Sequence, residues 1–111
     1  MAVIPVTAKA LRGTAIPFQN SAAGDQVDVG PNMILLCWNS SAGVLTATFA
    51  VPGTDELTGG AKPDNIESVA AGEIRMVPLD PRYADAAIGN RAAITYQTPG
   101  ATFKVAAISV V

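Results

Sequence analysis

Pairs of carboxylates are the side chains of this sequence that could support catalysis. Asp55 and Glu56 are adjacent in the chain, and Glu67 is followed by Glu73 a short distance later. A glycosidase uses two carboxyl groups held a few ångströms apart, one as acid or base and one as base or nucleophile. These acids fall in a loop or on exposed strand faces, and few aromatic side chains are present to stack a sugar. We therefore expect no glycosidase site.

Other nucleophilic and metal-dependent chemistries lack their essential residues. The sequence contains no histidine, which excludes Ser-His-Asp, Cys-His and histidine-ligated zinc sites. Cys37 is the only cysteine, so no intrachain disulfide forms, and its apolar neighbours favour a core residue over a nucleophile. Trp38 follows it, and we expect core packing there rather than a ligand platform. The prediction is a protein that is not an enzyme and has no catalytic residue.

No cofactor or metal site is expected either. Asp25 and Asp28 lie near Asn20, but a calcium loop needs more oxygen ligands at tighter spacing. The Gly59-Gly60 pair is not followed by the Lys-Ser/Thr of a phosphate loop.

The stretch from Met33 to Val51 predicts a β-hairpin around which the fold is built. The first arm, 33–38, is apolar on both alternating faces, which indicates a central or interface strand. The second arm alternates, with Leu45, Ala47 and Phe49 on one face. Between them, turn-forming residues end in Gly43, which could take a positive φ.

Further strands follow the same pattern of short apolar runs separated by turn residues. A tight turn at 70–72 joins strands 65–69 and 73–77, in which Ile74 and Met76 are expected to face the core and Arg75 the solvent. A second hairpin is predicted around Pro99-Gly100. The fold class predicted is all-β, an antiparallel sandwich or jelly-roll-like fold of about eight short strands with at most one short helical turn, at Asp80-Pro81.

The 111 residues predict one domain. Residues 1–12 read as an N-terminal arm or edge strand, because Pro5 cannot donate to a ladder, and 13–111 as a single sandwich. The arm could pair within its own subunit or lie across a neighbour. No signal peptide or membrane span is expected, so the chain is predicted to be made in a cytoplasm.

Composition points to a partner that covers part of the surface. Half of the residues are apolar and only 14% are charged, against a usual value of about 25%. So few charges do little to keep neighbouring molecules apart. The net charge is −2 with no cluster of basic residues, which makes electrostatic binding of nucleic acid an unfavoured function.

The span from Met33 to Tyr96 resembles a group of small virion proteins of tailed bacteriophages, many of them from actinobacterial phages. The resemblance rests on the arrangement of five features: the apolar strand 33–39, the Thr-rich strand 44–51, Pro52-Gly53-Thr54, the segment 69–73 before an Arg-bearing strand, and 78–83. It implies a β-sandwich that decorates or cements the outer surface of an icosahedral head by binding the major capsid protein. It also implies a homo-oligomer, commonly a trimer, located on the capsid exterior of the virion and made in the host bacterial cytoplasm.

Exposed ends and loops are then the expected sites of capsid or subunit contact. These are the N-terminal arm, the long loop 52–64 and the C-terminal strand, with the candidate residues Ala2, Val3, Ile4, Pro5, Val6, Thr54, Asp55, Glu56, Leu57, Val110 and Val111. Two alternatives remain open: a sandwich of the tail, neck or fibre, including one that binds a host-surface glycan, and an oligomeric sandwich with no phage connection.

Overall fold

The chain forms two facing β-sheets. The computed structural model describes residues 3–4, 6–9, 16–53, 57, 59–60 and 62–110. Within them are nine strands: β1 Val6–Lys9, β2 Gln19–Asn20, β3 Gln26–Asp28, β4 Met33–Asn39, β5 Leu45–Phe49, β6 Asn65–Val69, β7 Ile74–Pro78, β8 Arg91–Tyr96 and β9 Phe103–Val110. The predicted all-β sandwich is confirmed, and two 3₁₀ turns, Pro81–Tyr83 and Ala86–Ile88, stand where one helical turn was expected.

The first sheet has the strand order β1-β9-β4-β7, with β2 also paired to β9 beside β1. The second sheet has the order β3-β8-β5-β6. All of these pairs are antiparallel except β1 with β9, which are parallel. The apolar arm at 33–39 is therefore a central strand, flanked on both edges by β9 and β7 as its doubly apolar pattern indicated.

The predicted hairpins are wrong, although the strands and turns that compose them are present. β4 and β5 lie in different sheets, as do β6 and β7, and β8 and β9. Each short connection is thus an arch across the sandwich. Turn residues shorten a connection, but they do not determine whether the strands they join pair with each other or with strands distant in sequence. Gly43 does not take a positive φ, whereas Gly72 in the next arch does, at 75°.

The core fills the space between the two sheets. Along β5 the alternation is as predicted, with Leu45, Ala47 and Phe49 buried and the threonines between them half-buried. The ring of Phe49 lies 5.5 Å from that of Tyr83, which anchors the first 3₁₀ turn to the core. The first sheet contributes Leu35, Cys37, Val77, Phe103, Val105 and Ala107.

The orientation of β7 is the reverse of the prediction. Ile74 and Met76 face outward and are 51% and 66% exposed, while Arg75 points into the space between the sheets. The cause is register: Arg75 lies opposite Cys37 and Val77 opposite Leu35, and residues directly opposite on neighbouring strands share a face. Because Cys37 and Leu35 face the core, Arg75 must also face inward.

Candidate functional site

The outward surface of the first sheet is the most distinctive feature of the described structure. Seven apolar side chains from three adjacent strands form it, and we call this surface the outer apolar face: Ile34, Leu36 and Trp38 of β4, Ile74 and Met76 of β7, and Ala106 and Ile108 of β9. Leu36 and Ala106 at its centre are nearly inaccessible, and neither belongs to the core cluster. The most exposed of the seven, Met76 and Ile74, lie on the edge strand.

Trp38 occupies one end of the outer apolar face, contrary to the expectation that it packs in the core. Its ring centroid is 5.5 Å from that of Phe18, and the Lys104 ammonium lies 5.5 Å above the ring. Trp38 lies opposite Ile74 in the ladder of β4 with β7, and opposite Lys104 in the ladder of β4 with β9. Tryptophan is among the residue types enriched in binding hot spots.

The signal that could have placed Trp38 was present in β9. Lys104 is the one charged residue of a strand that is apolar at every other position except Ser109, and a lysine ammonium faces solvent unless it is paired. Lys104 therefore indicates the outer face of β9, and Trp38, which lies opposite Lys104 in the ladder of β4 and β9, shares that face. Cys37, in contrast, is buried in the core as predicted.

The outward surface of the second sheet is polar by comparison. Its exposed or half-exposed residues include Thr46, Thr48, Ser68 and Thr95, and an ion pair of 3.1 Å joins Arg91 Nε to Asp28 Oδ1 at one end. Ile66 on the edge strand β6 is the apolar exception and is 63% exposed. The protein therefore presents two unlike faces, one apolar and one rich in hydroxyl groups.

A polar network closes the side of the sandwich where β6 and β7 are the edge strands. Arg75 reaches Glu67 on the opposite sheet at 3.4 Å and Glu73 on its own strand connection at 3.3 Å. Asn65 Nδ2 donates to Glu67 Oε2 at 2.9 Å and to the Tyr83 hydroxyl at 2.8 Å. The network includes Glu67 and Glu73, the two glutamates considered above as a catalytic pair.

The electrostatics of that network do not favour acid catalysis by Glu73. Its pKa is lowered because the Ala70 N–H donates to its carboxylate and Arg75 donates as well. A general acid acting near neutral pH needs a raised pKa instead. Arg75, Glu67 and Glu73 instead form an ionic bridge between the two sheets.

The predicted contact residues are dispersed. Val3 is exposed and Val6 packs against the core at the edge of the first sheet, where Val110 also lies because β1 pairs with the end of β9. Leu57, in the connection between two strands of the second sheet, is 96% exposed. Ile4 is only 1% exposed, so it is a core residue and its side chain is not available to a partner. The other candidates, Ala2, Pro5, Thr54, Asp55, Glu56 and Val111, lie outside the described residues.

Asp25 and Asp28, considered for a cation, are not brought together. Asp25 is buried and accepts a hydrogen bond of 2.9 Å from the Tyr96 hydroxyl, while Asp28 is half-exposed and paired with Arg91. A shallow groove of about 300 Å³, formed by 30–34 and 78–81, adjoins the outer apolar face at Ile34. Its lining is mostly apolar, so it extends that face.

Cys37 provides a test of the core through pH. Burial raises the pKa of its thiol from 9.0 to about 12, with a further contribution from the Glu67 carboxylate. A raised pKa in the folded state means that the full stability is present below pH 9.0 and is lost as the pH rises toward 12, because only the unfolded thiol ionises there.

We expect this ionisation to lower the free energy of unfolding by about 1.4 kcal/mol between neutral pH and about pH 10. Urea denaturation of the wild type and of Cys37→Ala at both pH values measures it. The variant removes the thiol, so its loss of stability over the same interval should be smaller by that amount. Equal losses in the two proteins would contradict a protonated, buried thiol.

No helix in the described residues is long and apolar enough to cross a membrane. No group of three or more His, Cys, Asp or Glu side chains in that part of the chain is placed to hold a metal ion. Comparison of the chain with protein-family models, curated proteins and solved structures finds no match.

Proposed function

We propose that this chain is a structural virion protein that binds the outer surface of a phage head as a homo-oligomer, with a trimer favoured, and stabilises the head. The observation that carries the proposal is the outer apolar face, which gives a small domain an area for assembly. The resemblance of 33–96 to phage virion proteins supports the head as the partner. Its location would be the capsid exterior.

The physical demands of such a role fit the chain. Cementing a shell requires contact area and shape complementarity rather than catalysis. A surface with few charges is desolvated at low cost when a partner covers it. Under this proposal the loop that contains Leu57 contacts the major capsid protein, and Val3 contributes from the other side of the sandwich.

Binding to undecorated heads of the phage that encodes the chain tests the proposal. We expect saturable binding of the purified protein in a co-sedimentation assay, and a roughly tenfold loss of affinity for Leu57→Asp because an exposed apolar contact is replaced by a charge. Val44→Asp is the matched control, since Val44 is also an exposed aliphatic residue but lies in the arch between β4 and β5. No binding at saturating concentration, or equal losses for both variants, would contradict the proposal.

One observation supports an alternative virion role. Trp38 and Phe18 form an aromatic pair on the outer apolar face, and sugars stack on aromatic rings. A tail, neck or fibre protein that binds a host-surface glycan would use such a pair. Labelled protein found on the tail alone, together with a change of Trp38 fluorescence on adding cell-wall oligosaccharides, would favour this alternative.

A further inference from the structure

We infer that residues 3–9 form a strap that closes one side of the sandwich and opens as a unit while the rest of the fold stays intact. The strap comprises Val3, Ile4 and strand β1, with Pro5 between them in sequence. The inference concerns an opening of the fold itself, so it goes beyond the proposed function and does not depend on capsid binding.

The strap joins an edge of one sheet to an edge of the other. Val3 forms an isolated parallel bridge with Gln26 of β3, and the Ile4 N–H donates to the Gln26 carbonyl at 2.8 Å. Further along, Val6–Lys9 pairs in parallel with 107–110 of β9, in the other sheet. The opposite edges of β3 and β9 are occupied by β8 and β4. The strap therefore spans the gap between the two sheets on one side of the sandwich.

Two side chains attach the strap to the interior. Ile4 is 1% exposed and belongs to the core cluster, and Val6 is half-buried and packs against that cluster. Pro5 has no N–H, so it adds no backbone donor to either sheet. The Ile4 side chain cannot leave the core without strain on the hydrogen bond that the Ile4 N–H makes to Gln26. Side chain and backbone bond should therefore open together.

The opposite side of the sandwich is closed in a different way. There Arg75 of β7 reaches Glu67 of β6 at 3.4 Å, and the arch between these strands is held by the Gly72 N–H, which donates to the Asn39 carbonyl at 2.7 Å. Opening that side would break contacts of both strands and of the arch. In the described residues β1 pairs with β9 alone, through a parallel ladder, which is slightly less stable per residue than an antiparallel one. We therefore assign the local opening to the strap.

Opening of the strap changes the edge of β9. The backbone groups of 107–110 that pair with the strap lose their partners, while β9 keeps its ladder with β4. Departure of Ile4 and Val6 also uncovers apolar side chains of the core. A sheet edge with unpaired N–H and C=O groups beside apolar side chains is the kind of surface that accepts a strand of another molecule. The closed strap keeps this edge covered.

Native-state hydrogen exchange of the full chain at increasing urea concentrations, followed by NMR, tests the inference. We expect the Ile4 N–H and the amides of β1 to exchange at least about tenfold faster than the slowest amides of β4. Their exchange should also depend much less on urea, because opening of the strap exposes little surface. Equal rates with equal dependence on urea would overturn the inference, since the strap would then open only when the whole domain unfolds.

Two core substitutions on opposite sides of the sandwich separate local from global opening. Ile4→Val removes one methylene from the strap and should speed the exchange of the strap and of β4 alike, by roughly fivefold, because it destabilises the closed state relative to every open one. Val69→Ala is the matched control, since Val69 is equally buried but lies at the end of β6.

Val69→Ala should speed the exchange of β4 by roughly tenfold. It should leave the exchange of the strap within about twofold of the wild-type value, because Val69 stays packed when only the strap opens. Acceleration of the strap and of β4 by the same factor in Val69→Ala would overturn the inference. Both variants remove only one or two carbon atoms from the core, so the native fold is retained for the measurement.

Discussion

Asn39→Ala should destabilise the protein by about 3 kcal/mol, because the Asn39 side chain holds two arches of the sandwich together. Asn39 is fully buried at the end of β4. Its Nδ2 donates to Gly43 O at 2.7 Å and to Val69 O at 2.8 Å, and its Oδ1 accepts from Ser41 N at 2.9 Å and Ser41 Oγ at 2.6 Å. Alanine would leave the buried Val69 carbonyl without this donor, and an unsatisfied buried group costs about 1–3 kcal/mol.

The backbone of Asn39 strengthens this expectation. Its carbonyl accepts from Gly72 N at 2.7 Å, and its N–H donates to Glu73 O at 3.1 Å. One residue of β4 thus contacts its own arch, the end of β6 and the start of β7. Because the side-chain and main-chain bonds act on the same corner, loss of the side chain should loosen the remaining ones as well.

Urea denaturation followed by circular dichroism measures the effect. Ser40→Ala is the control, since Ser40 is the exposed neighbour whose hydroxyl makes one bond of 3.3 Å to Thr102 O, and it should change stability by less than about 0.5 kcal/mol. Asn39→Asp should be at least as harmful as alanine, because a carboxylate cannot donate to the two carbonyls. An Asn39→Ala variant within about 1 kcal/mol of the wild type would show that the arches are held elsewhere.

Asn39 also explains why the sandwich was predictable and its connections were not. The alternation of β5 and the doubly apolar run of β4 depend on burial, which local sequence records. Whether the turn after Asn39 closes a hairpin or an arch depends on Val69 and Glu73, which lie far along the chain. Turn composition contains no information about those partners.

The candidate surface was hidden for a related reason. Both faces of β4 are apolar, so its own sequence cannot say which face meets the core. In β7, the apolar Ile74 and Met76 were assigned inward because apolar side chains usually are buried. The register with Cys37 and Leu35 reverses this assignment. The one local signal was Lys104, which indicates the outer face of β9 and hence that of its neighbours.

Tyr96→Phe should destabilise the protein by about 2 kcal/mol, because it removes a donor from a buried carboxylate. The Tyr96 hydroxyl donates to Asp25 Oδ2 at 2.9 Å, and the Ala22 N–H donates to the same oxygen at 3.1 Å. Asp25 Oδ1 is buried and has no hydrogen-bond partner in the described part of the chain. Among the described residues, Tyr96 is thus the side-chain donor to Asp25, and hydrogen bonds to charged groups contribute about 1.5–3 kcal/mol.

Tyr83→Phe is the matched control for this variant. It removes a hydroxyl of the same size from a buried ring, but that hydroxyl accepts from Asn65 and Arg82 in a half-exposed network. Water can replace the Tyr83 hydroxyl as the acceptor for Asn65 and Arg82, so we expect the free energy of unfolding to fall by only about 0.5–1 kcal/mol. Equal destabilisation by the two variants would contradict a special contribution from the hydrogen bond between the Tyr96 hydroxyl and the Asp25 carboxylate.

The alkaline limb of the stability profile tests the environment of Tyr96 further. Burial raises the pKa of Tyr96 above its ordinary value of 10.0, and the Asp25 carboxylate raises it again. The stability linked to this group is therefore complete below pH 10.0 and is lost as the pH rises, since the unfolded phenol ionises first. Between about pH 9 and pH 11 the free energy of unfolding should fall less in Tyr96→Phe than in the wild type. Cys37 contributes the same loss to both proteins, so it does not account for this difference. In the Cys37→Ala background the wild-type Tyr96 and the phenylalanine variant should still differ in this slope, and identical slopes would contradict the burial of the Tyr96 hydroxyl against Asp25.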